Sequence, residues 1–389
     1  MMHRISISSI WHNVRIRNAV YQILVVGLVI GLGAFMVLNA QDAMKKLGIS
    51  TGFDFLFEEA GFDIGEGLID FDSTDSFLRA YATAVLNTLK VSFVSIVFAS
   101  ALGLCVGIAR LSSNFLISKL ASTYVELFRN TPQLVQIIFW YTLLTHLPAP
   151  KSAMSFHDLV FLTNRGVVLP WPTENQGFIW IFLSILTGIF VSFCFVQWTD
   201  HQRLKSGNRI RGVAWISTLF IGGIPLMVWG ALDCPSSFSI PVLRGFNFIG
   251  GMALSTEFLA LLLGLSLYIA AFIAEIVRSG IESVGSGQVE AARAIALRPT
   301  DTYRRIILPQ AMRVMIPPAG AQYISLIKNS SLGVAIGYPE IFNINNTIIT
   351  LSGHTVEAIG MMMAIYLTIA FSISGLINLY NRTAQIKER

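Results

Sequence analysis

Two short stretches carry the residues through which this chain could do chemistry, and neither is arranged for catalysis. The first is EAARAIALRPTDTYRRIILPQA, Glu290 to Ala311. Alanines at 291, 292, 294 and 296 make a strong helix run with a nearly smooth surface. Small side chains let another surface approach closely, so the chemistry on offer is docking. Gly285 and Gly287 break the preceding helix, and Gly287 as N-cap places Glu290 in the first turn, where a carboxylate suits the helix dipole. Pro299 opens a second short helix with Asp301 behind it; Ile306, Ile307 and Leu308 end it and Pro309 stops it. The residues alone leave two uses open, a knob for a groove on another protein or an amphipathic segment lying on a bilayer. The second stretch is Lys328, Asn329, Ser330 and Ser331, set near the middle of an interrupted apolar run. A charge there is costly and faces protein or water. These four either line a polar path or bond helix to helix.

Other chemistries lack their residues. No G-x-x-x-x-G-K-[ST] pattern occurs, so no bound nucleotide is expected in this chain. No H-E-x-x-H is present, and His146, His157 and His354 fall in loops or at helix ends, which argues against a metal site or an intramembrane metalloenzyme. Nor is the net charge of +5 a nucleic-acid signal, because here it must be read loop by loop.

The elements that position these stretches are membrane helices. Of 389 residues, 54% are hydrophobic and 13% charged, about half the usual charged share of soluble domains. Ala19 to Asn39, Phe178 to Trp198, Gly212 to Leu232 and Ala358 to Tyr380 hold no charged residue, and each is long enough for the roughly 20-residue crossing of a bilayer. Val91 to Ala109, Thr131 to Leu147, Phe258 to Ala274 and Val314 to about Tyr338 bring the expected spans to about eight. Long unalternating runs exclude a β-barrel. The first run is too long for a signal peptide and is read as a retained helix.

Eight spans put both ends on one side. That side collects 18 of the 27 Lys and Arg, including Arg15, Arg17, Arg203, Arg209, Arg293, Arg304 and Arg382, so it is assigned to the cytoplasm. The first outer loop carries nine Asp or Glu between Asp42 and Asp75, interleaved with aromatics as in GFDFLFEEAGFD, and is expected to be solvated, a structured outer cap that touches a partner being the alternative. Cys105, Cys194 and Cys234 are expected to be small buried hydrophobes rather than a disulfide framework. Glu275 and Arg278 have the spacing of a local ion pair. Glu257 and Glu357 sit at outer helix ends, either solvated or facing a partner. Gly27 with Gly31, and Gly103 with Gly107, have the spacing of close helix packing.

The Glu290–Gln310 stretch resembles the EAA loop of ATP-binding-cassette (ABC) importer permeases, in the polar amino-acid uptake family. Glu290, Ala291 and Ala292 match the EAA triplet, and Leu308, Pro309 and Gln310 match the closing LPQ. Ala296 stands where the family has glycine. ELFRNTPQLVQIIFWY and LIKNSSLGVAIGYPE resemble two further family segments, with Asn130 for Gly and Ser330 for Thr, and the likeness covers about half the chain. It implies an all-α polytopic fold with the five-helix core of a type I importer, an extra N-terminal helix and an inserted helical pair, as in the Q-type permeases of general L-amino acid importers. The implied division is 1–79, 80–147, 148–257 and 258–389, with the coupling loop at 285–310. The implied partners are a cytoplasmic ABC ATPase dimer that binds the ATP, a second homologous permease, a periplasmic amino-acid-binding protein and the bilayer of a bacterial inner membrane. An ion-gradient-driven transporter is the alternative; it calls for buried coupling carboxylates and an internal repeat, and the sequence offers neither.

Overall fold

A computed structural model describes residues 14–46, 52–173, 175–206, 212–232 and 237–384. Helices dominate: α1 (Val14–Lys46), α2 (Phe77–Arg110), α3 (Phe115–Asn130), α4 (Gln133–Thr145), α5 (Asn175–Ser206), α6 (Val213–Ala231), α7 (Thr256–Glu282), α8 (Ser286–Ala294), α9 (Pro299–Thr302), α10 (Leu308–Asn329), α11 (Ile341–Ser352) and α12 (Thr355–Ala384). Among the described residues, five stretches are long and apolar enough to cross a membrane: Ile16–Asn39, Phe77–Arg110, Ile179–Val196, Thr256–Glu282 and Thr355–Leu379. Gln133–Thr145 and Trp215–Ala231 are shorter apolar helices. The remaining expected span falls on α10, which carries Arg313, Lys328, Pro317 and Pro318. Those two prolines lie inside one helix, which continues through them.

The chain divides into two compact units, residues 1–128 with 269–389, and residues 129–268. In the first unit α2 and α7 approach to backbone contact. A Cβ on Gly103 would lie 2.6 Å from the Ile273 Cβ and 2.9 Å from the Ala270 carbonyl; one on Gly107 would lie 2.7 Å from the Val277 Cβ and 2.9 Å from the Ala274 carbonyl. Only glycine fits there. Around Gly27 and Gly31 nothing lies within 4 Å, so the same spacing marks a crossing in one helix and not in the other.

The acidic first loop is ordered, against the expectation of a solvated one. Phe55 and Leu56 are buried with Phe77, Ala80, Tyr81 and Ala84 of α2 and with Ile341, Ile344 and Ile348 of α11. Phe55 also stacks on His354 at 4.5 Å. The Ala60 N–H donates to the Asp75 carbonyl at 2.8 Å and the Gly61 N–H to the Ser73 carbonyl at 2.9 Å, closing the loop on itself. Apolar burial outweighs the carboxylates because Glu58, Glu59, Asp63 and Asp70 remain exposed. Glu357 accepts from the Gly52 N–H at 3.2 Å, which makes it part of this cap.

In the second unit α5 and α6 pair as a hairpin, so closely that a Cβ on Gly188 would fall 2.5 Å from the Phe220 carbonyl. The Tyr141 hydroxyl donates to Glu257 at 3.3 Å. The connections around the hairpin hold eight short strands: β1 (Met154–Phe156), β2 (Val160–Thr163), β3 (Gly166–Leu169), β4 (Trp171–Pro172), β5 (Phe238–Ser239), β6 (Val242–Arg244), β7 (Asn247–Ile249) and β8 (Met252–Leu254). They form an antiparallel sheet in the order β1-β2-β3-β8 and two ribbons, β4-β5 and β6-β7. Strands of two to four residues leave no readable alternation in a sequence. Cys105 and Cys194 are exposed on their helices rather than buried, a surface that lipid covers in a spanning helix, and Cys234 lies outside the described residues.

The α2–α7 crossing sets a test. Gly107→Val overpacks a backbone contact, at a cost of about 1–3 kcal/mol. Its thermal-unfolding temperature in detergent is expected to fall by several degrees, while Gly31→Val leaves it unchanged.

Candidate functional site

The Glu290–Gln310 stretch folds as two short helices. α8 begins at Ser286 after Gly285, not at Gly287, so Glu290 is the fifth residue of the helix and its carboxylate lies beyond the first turn. Glycine at both 285 and 287 left the cap ambiguous. Glu290, Ala291 and Ala294 are exposed, whereas Ala292 is 1% exposed and faces inward with Thr302 and Ile307. The alanine run therefore has two uses. One alanine closes the small core of the loop, and its neighbours leave a bare outer face.

The turn after α8 is where the missing glycine matters. The Leu297 N–H donates to the Ala292 carbonyl at 3.0 Å, and the Ala296 N–H to the Arg293 carbonyl at 2.9 Å. This pairing is a Schellman motif, whose C′ residue takes the left-handed conformation. Ala296 does so, with φ 52°. An L-residue with a Cβ is disfavoured there by roughly 1–2 kcal/mol. The chain keeps the tight turn that glycine would give and holds alanine in it.

Pro299 starts α9, and Asp301 pairs with Arg305 one turn on at 3.2 Å. Pro309 does not stop the segment. Tyr303–Ile307 forms a π turn that leads without a break into α10, the Leu308 N–H reaching back to the Tyr303 carbonyl. A widened turn accommodates a residue that has no N–H and whose ring would crowd the carbonyl four residues before it. Leu308 and Pro309 are exposed, and Gln310 is half-buried, its side-chain amide donating to the Ile306 carbonyl at 3.0 Å. From Pro299 to Asn329 the backbone is one helical rod.

Beside the loop, Glu275 pairs with Arg278 on its own helix and with Arg110 at the end of α2, and Arg278 pairs in turn with Glu282. The local Glu275–Arg278 pair was legible from spacing. Its extension to Arg110 joins residues 165 apart in sequence and was not.

At the far end of the rod, Lys328 is exposed, Asn329 and Ser331 are half-buried, and Ser330 is fully buried. The Ser330 hydroxyl donates to the Ile327 carbonyl at 2.6 Å, and the Ser331 hydroxyl to the Lys328 carbonyl at 2.8 Å. A 3-10 segment, Ser330–Ile336, then turns at Gly337 into a polar web that sequence reasoning missed. The Asn87 amide donates to the Glu66 and Pro339 carbonyls at 2.7 and 3.0 Å. Thr88 accepts from the Ile341 N–H at 3.2 Å, and the Tyr81 hydroxyl donates to Asn345 at 2.7 Å. Glu340, 0% exposed, caps α11 by accepting from the Phe342 and Asn343 N–H groups, each at 2.8 Å, and from the Tyr366 hydroxyl at 3.0 Å. The available signal was the polar run Asn87-Thr88 with Lys90 in a long, mostly apolar helix.

A polytopic helical protein with five helices long and apolar enough to cross a membrane, and a two-helix loop that runs on into α10, has the form of a membrane permease subunit. Comparison with known proteins agrees. Residues 95–384 match the family described as "Binding-protein-dependent transport system inner membrane component", and the chain belongs to that family. It is 43% identical to the putative amino-acid ABC transporter permease protein YhdX of Escherichia coli (strain K12), over 97% of this chain and 96% of that one. It is 37% identical to the general L-amino acid transport system permease protein AapQ of Rhizobium johnstonii, over 99% and 96% of the two chains. A glutamate/glutamine/aspartate/asparagine transport system permease protein, BztB of Rhodobacter capsulatus, is 35% identical over 98% and 97%. The chain is a permease subunit of an ABC importer.

Ala296→Gly is expected to relieve the left-handed strain by about 1 kcal/mol, seen as roughly fivefold greater hydrogen-exchange protection of the Leu297 amide. Ala296→Val is expected to lower it. Equal protection in all three proteins would contradict the strained turn.

Proposed function

We propose that this permease takes up L-amino acids of broad specificity across a bacterial inner membrane, with both termini in the cytoplasm. Its near-full-length likeness to three amino-acid permeases supports the cargo class, and the loop-by-loop distribution of Lys and Arg supports the orientation. A periplasmic binding protein delivers the amino acid, a second homologous permease completes the path, and a separate ATPase dimer supplies the energy.

The observation that carries the coupling mechanism is the unbroken helix from Pro299 to Asn329. The ATPase engages Glu290, Ala291, Leu308, Pro309 and Gln310 on the exposed side of the loop, while Ala292 and Ala296 set its internal packing and turn. When the ATPase closes, displacement of the loop passes through the π turn into α10 and reaches Lys328, Asn329 and Ser331 without a hinge. Lys328 faces the translocation path with its exposed ammonium. Ser330, buried and bonded to the Ile327 carbonyl, supports the path from behind.

The test is ATP-dependent uptake of a panel of labelled L-amino acids into vesicles holding the reconstituted complex. Ala291→Asp places a charge on the docking face and is expected to abolish uptake at unchanged protein level. Lys328→Met is expected to slow uptake with the ATPase still assembled. Uptake that persists without any ATPase chain would replace this reading with an ion-driven transporter.

A further inference from the structure

The β-strands that flank the α5–α6 hairpin have a surface unlike that of a water-soluble sheet. An antiparallel sheet ordinarily buries one face and hydrates the other. Here every residue of β1 and β6 is exposed. Phe156 is 68% exposed and Phe246 72%, and Met154, Val242 and Ile249 are exposed as well. Several large apolar side chains exposed on short neighbouring strands suit a contact surface.

The chain itself limits what that contact is. β4 ends at Pro172 and α5 starts at Asn175, so the ribbon lies no more than about 10 Å of chain from the hairpin. On the return, Ala231 closes α6 and Phe238 opens β5, at most about 25 Å of extended chain. A strand pair tied this closely to two apolar membrane helices stands at the level of the lipid headgroups. It does not stand deeper, because its short ribbons leave strand edges whose backbone groups need water.

The charges fit the same place. Within 150–172 and 238–254 the charged residues are Lys151, Asp158, Arg165 and Arg244. The Lys151 ammonium sits 4.2 Å from the Phe246 ring centroid, and the Arg165 guanidinium donates to the Asn247 side chain. A cation over an exposed aromatic ring, with further cations nearby, is the composition of a membrane–water boundary, where the ring enters the acyl edge and the cation meets phosphate.

We infer that this β-module is an interfacial anchor, with Phe156 and Phe246 seated in the bilayer surface and Lys151, Arg165 and Arg244 directed to anionic lipid headgroups. The inference rests on α5 and α6 crossing the bilayer and is independent of the uptake mechanism. It gives the inserted hairpin a role, that of fixing its depth and tilt in the membrane.

The experiment uses the full-length protein in nanodiscs of phosphatidylethanolamine and phosphatidylglycerol, with Cys105, Cys194 and Cys234 replaced by alanine. Nitroxide labels are placed through Phe156→Cys, Phe246→Cys and, as an exposed control in the first-loop cap, Asp72→Cys. Labels at 156 and 246 are expected to meet oxygen far more readily than a water-soluble nickel chelate, and the label at 72 the reverse. Lys151→Glu with Arg244→Glu is expected to raise nickel access at 246 several-fold. Nickel access at 156 and 246 equal to that at 72 would overturn the anchor. So would shielding of both labels from both reagents, which would show a protein contact instead. Retained ATP-dependent uptake in the labelled proteins keeps a failed anchor distinct from a failed importer.

Discussion

The placement of the Glu290–Gln310 loop depends on the crossing of α2 and α7 at Gly103 and Gly107. In a bilayer there is no hydrophobic gain from putting two apolar helices together, so association rests on van der Waals contact and on groups that would otherwise go unpaired. Glycine at both positions brings the α2 backbone against the Ala270 and Ala274 carbonyls. One turn beyond Gly107 the apolar contact gives way to charge, and Arg110, Glu275, Arg278 and Glu282 tie the ends of the two helices together. The α7 end is thereby fixed three residues before the Gly285 cap of the coupling loop. The loop is thus mounted on a rigid pair at one end and continues into α10 at the other.

The far end of α10 is held differently. There the corner after the 3-10 segment is seated by hydrogen bonds, and Asn87, Thr88, Tyr81 and Glu340 take up backbone and side-chain groups that a sharp turn would leave unpaired. The acidic first loop then lies over the corner through Phe55 and Leu56. Both ends of the Pro299–Asn329 helix are therefore anchored, one by the packed loop and the other by the polar web.

Much of this was legible in the residues, and the misses share a cause. Apolar length identified the membrane class, and the motif segments identified the family. What the sequence did not specify was the outcome of competition between local signals and distant partners. Pro309 reads as a stop, yet the π turn carries the helix past it. Gly287 reads as a cap, yet Gly285 is used. Gly27–Gly31 and Gly103–Gly107 look alike, and only the second has a helix against it. Ala296 in place of glycine pointed to the right turn, but only the backbone shows that the tight geometry survives the substitution. The β-strands stayed hidden because they are two to four residues long, and because β3 with β8 and β4 with β5 pair across the hairpin.

The most direct test of the rod is a distance measured along it. Spin labels at Thr300 and Lys328, both exposed, report its length by pulsed electron resonance in the assembled transporter, nucleotide-free and ATP-trapped. The label separation is expected to stay the same in both states, near the roughly 40 Å of an unbroken helix of this length. A shorter or newly broadened separation on ATP binding would show a hinge at the π turn or at Pro317–Pro318, and would contradict transmission through a continuous helix.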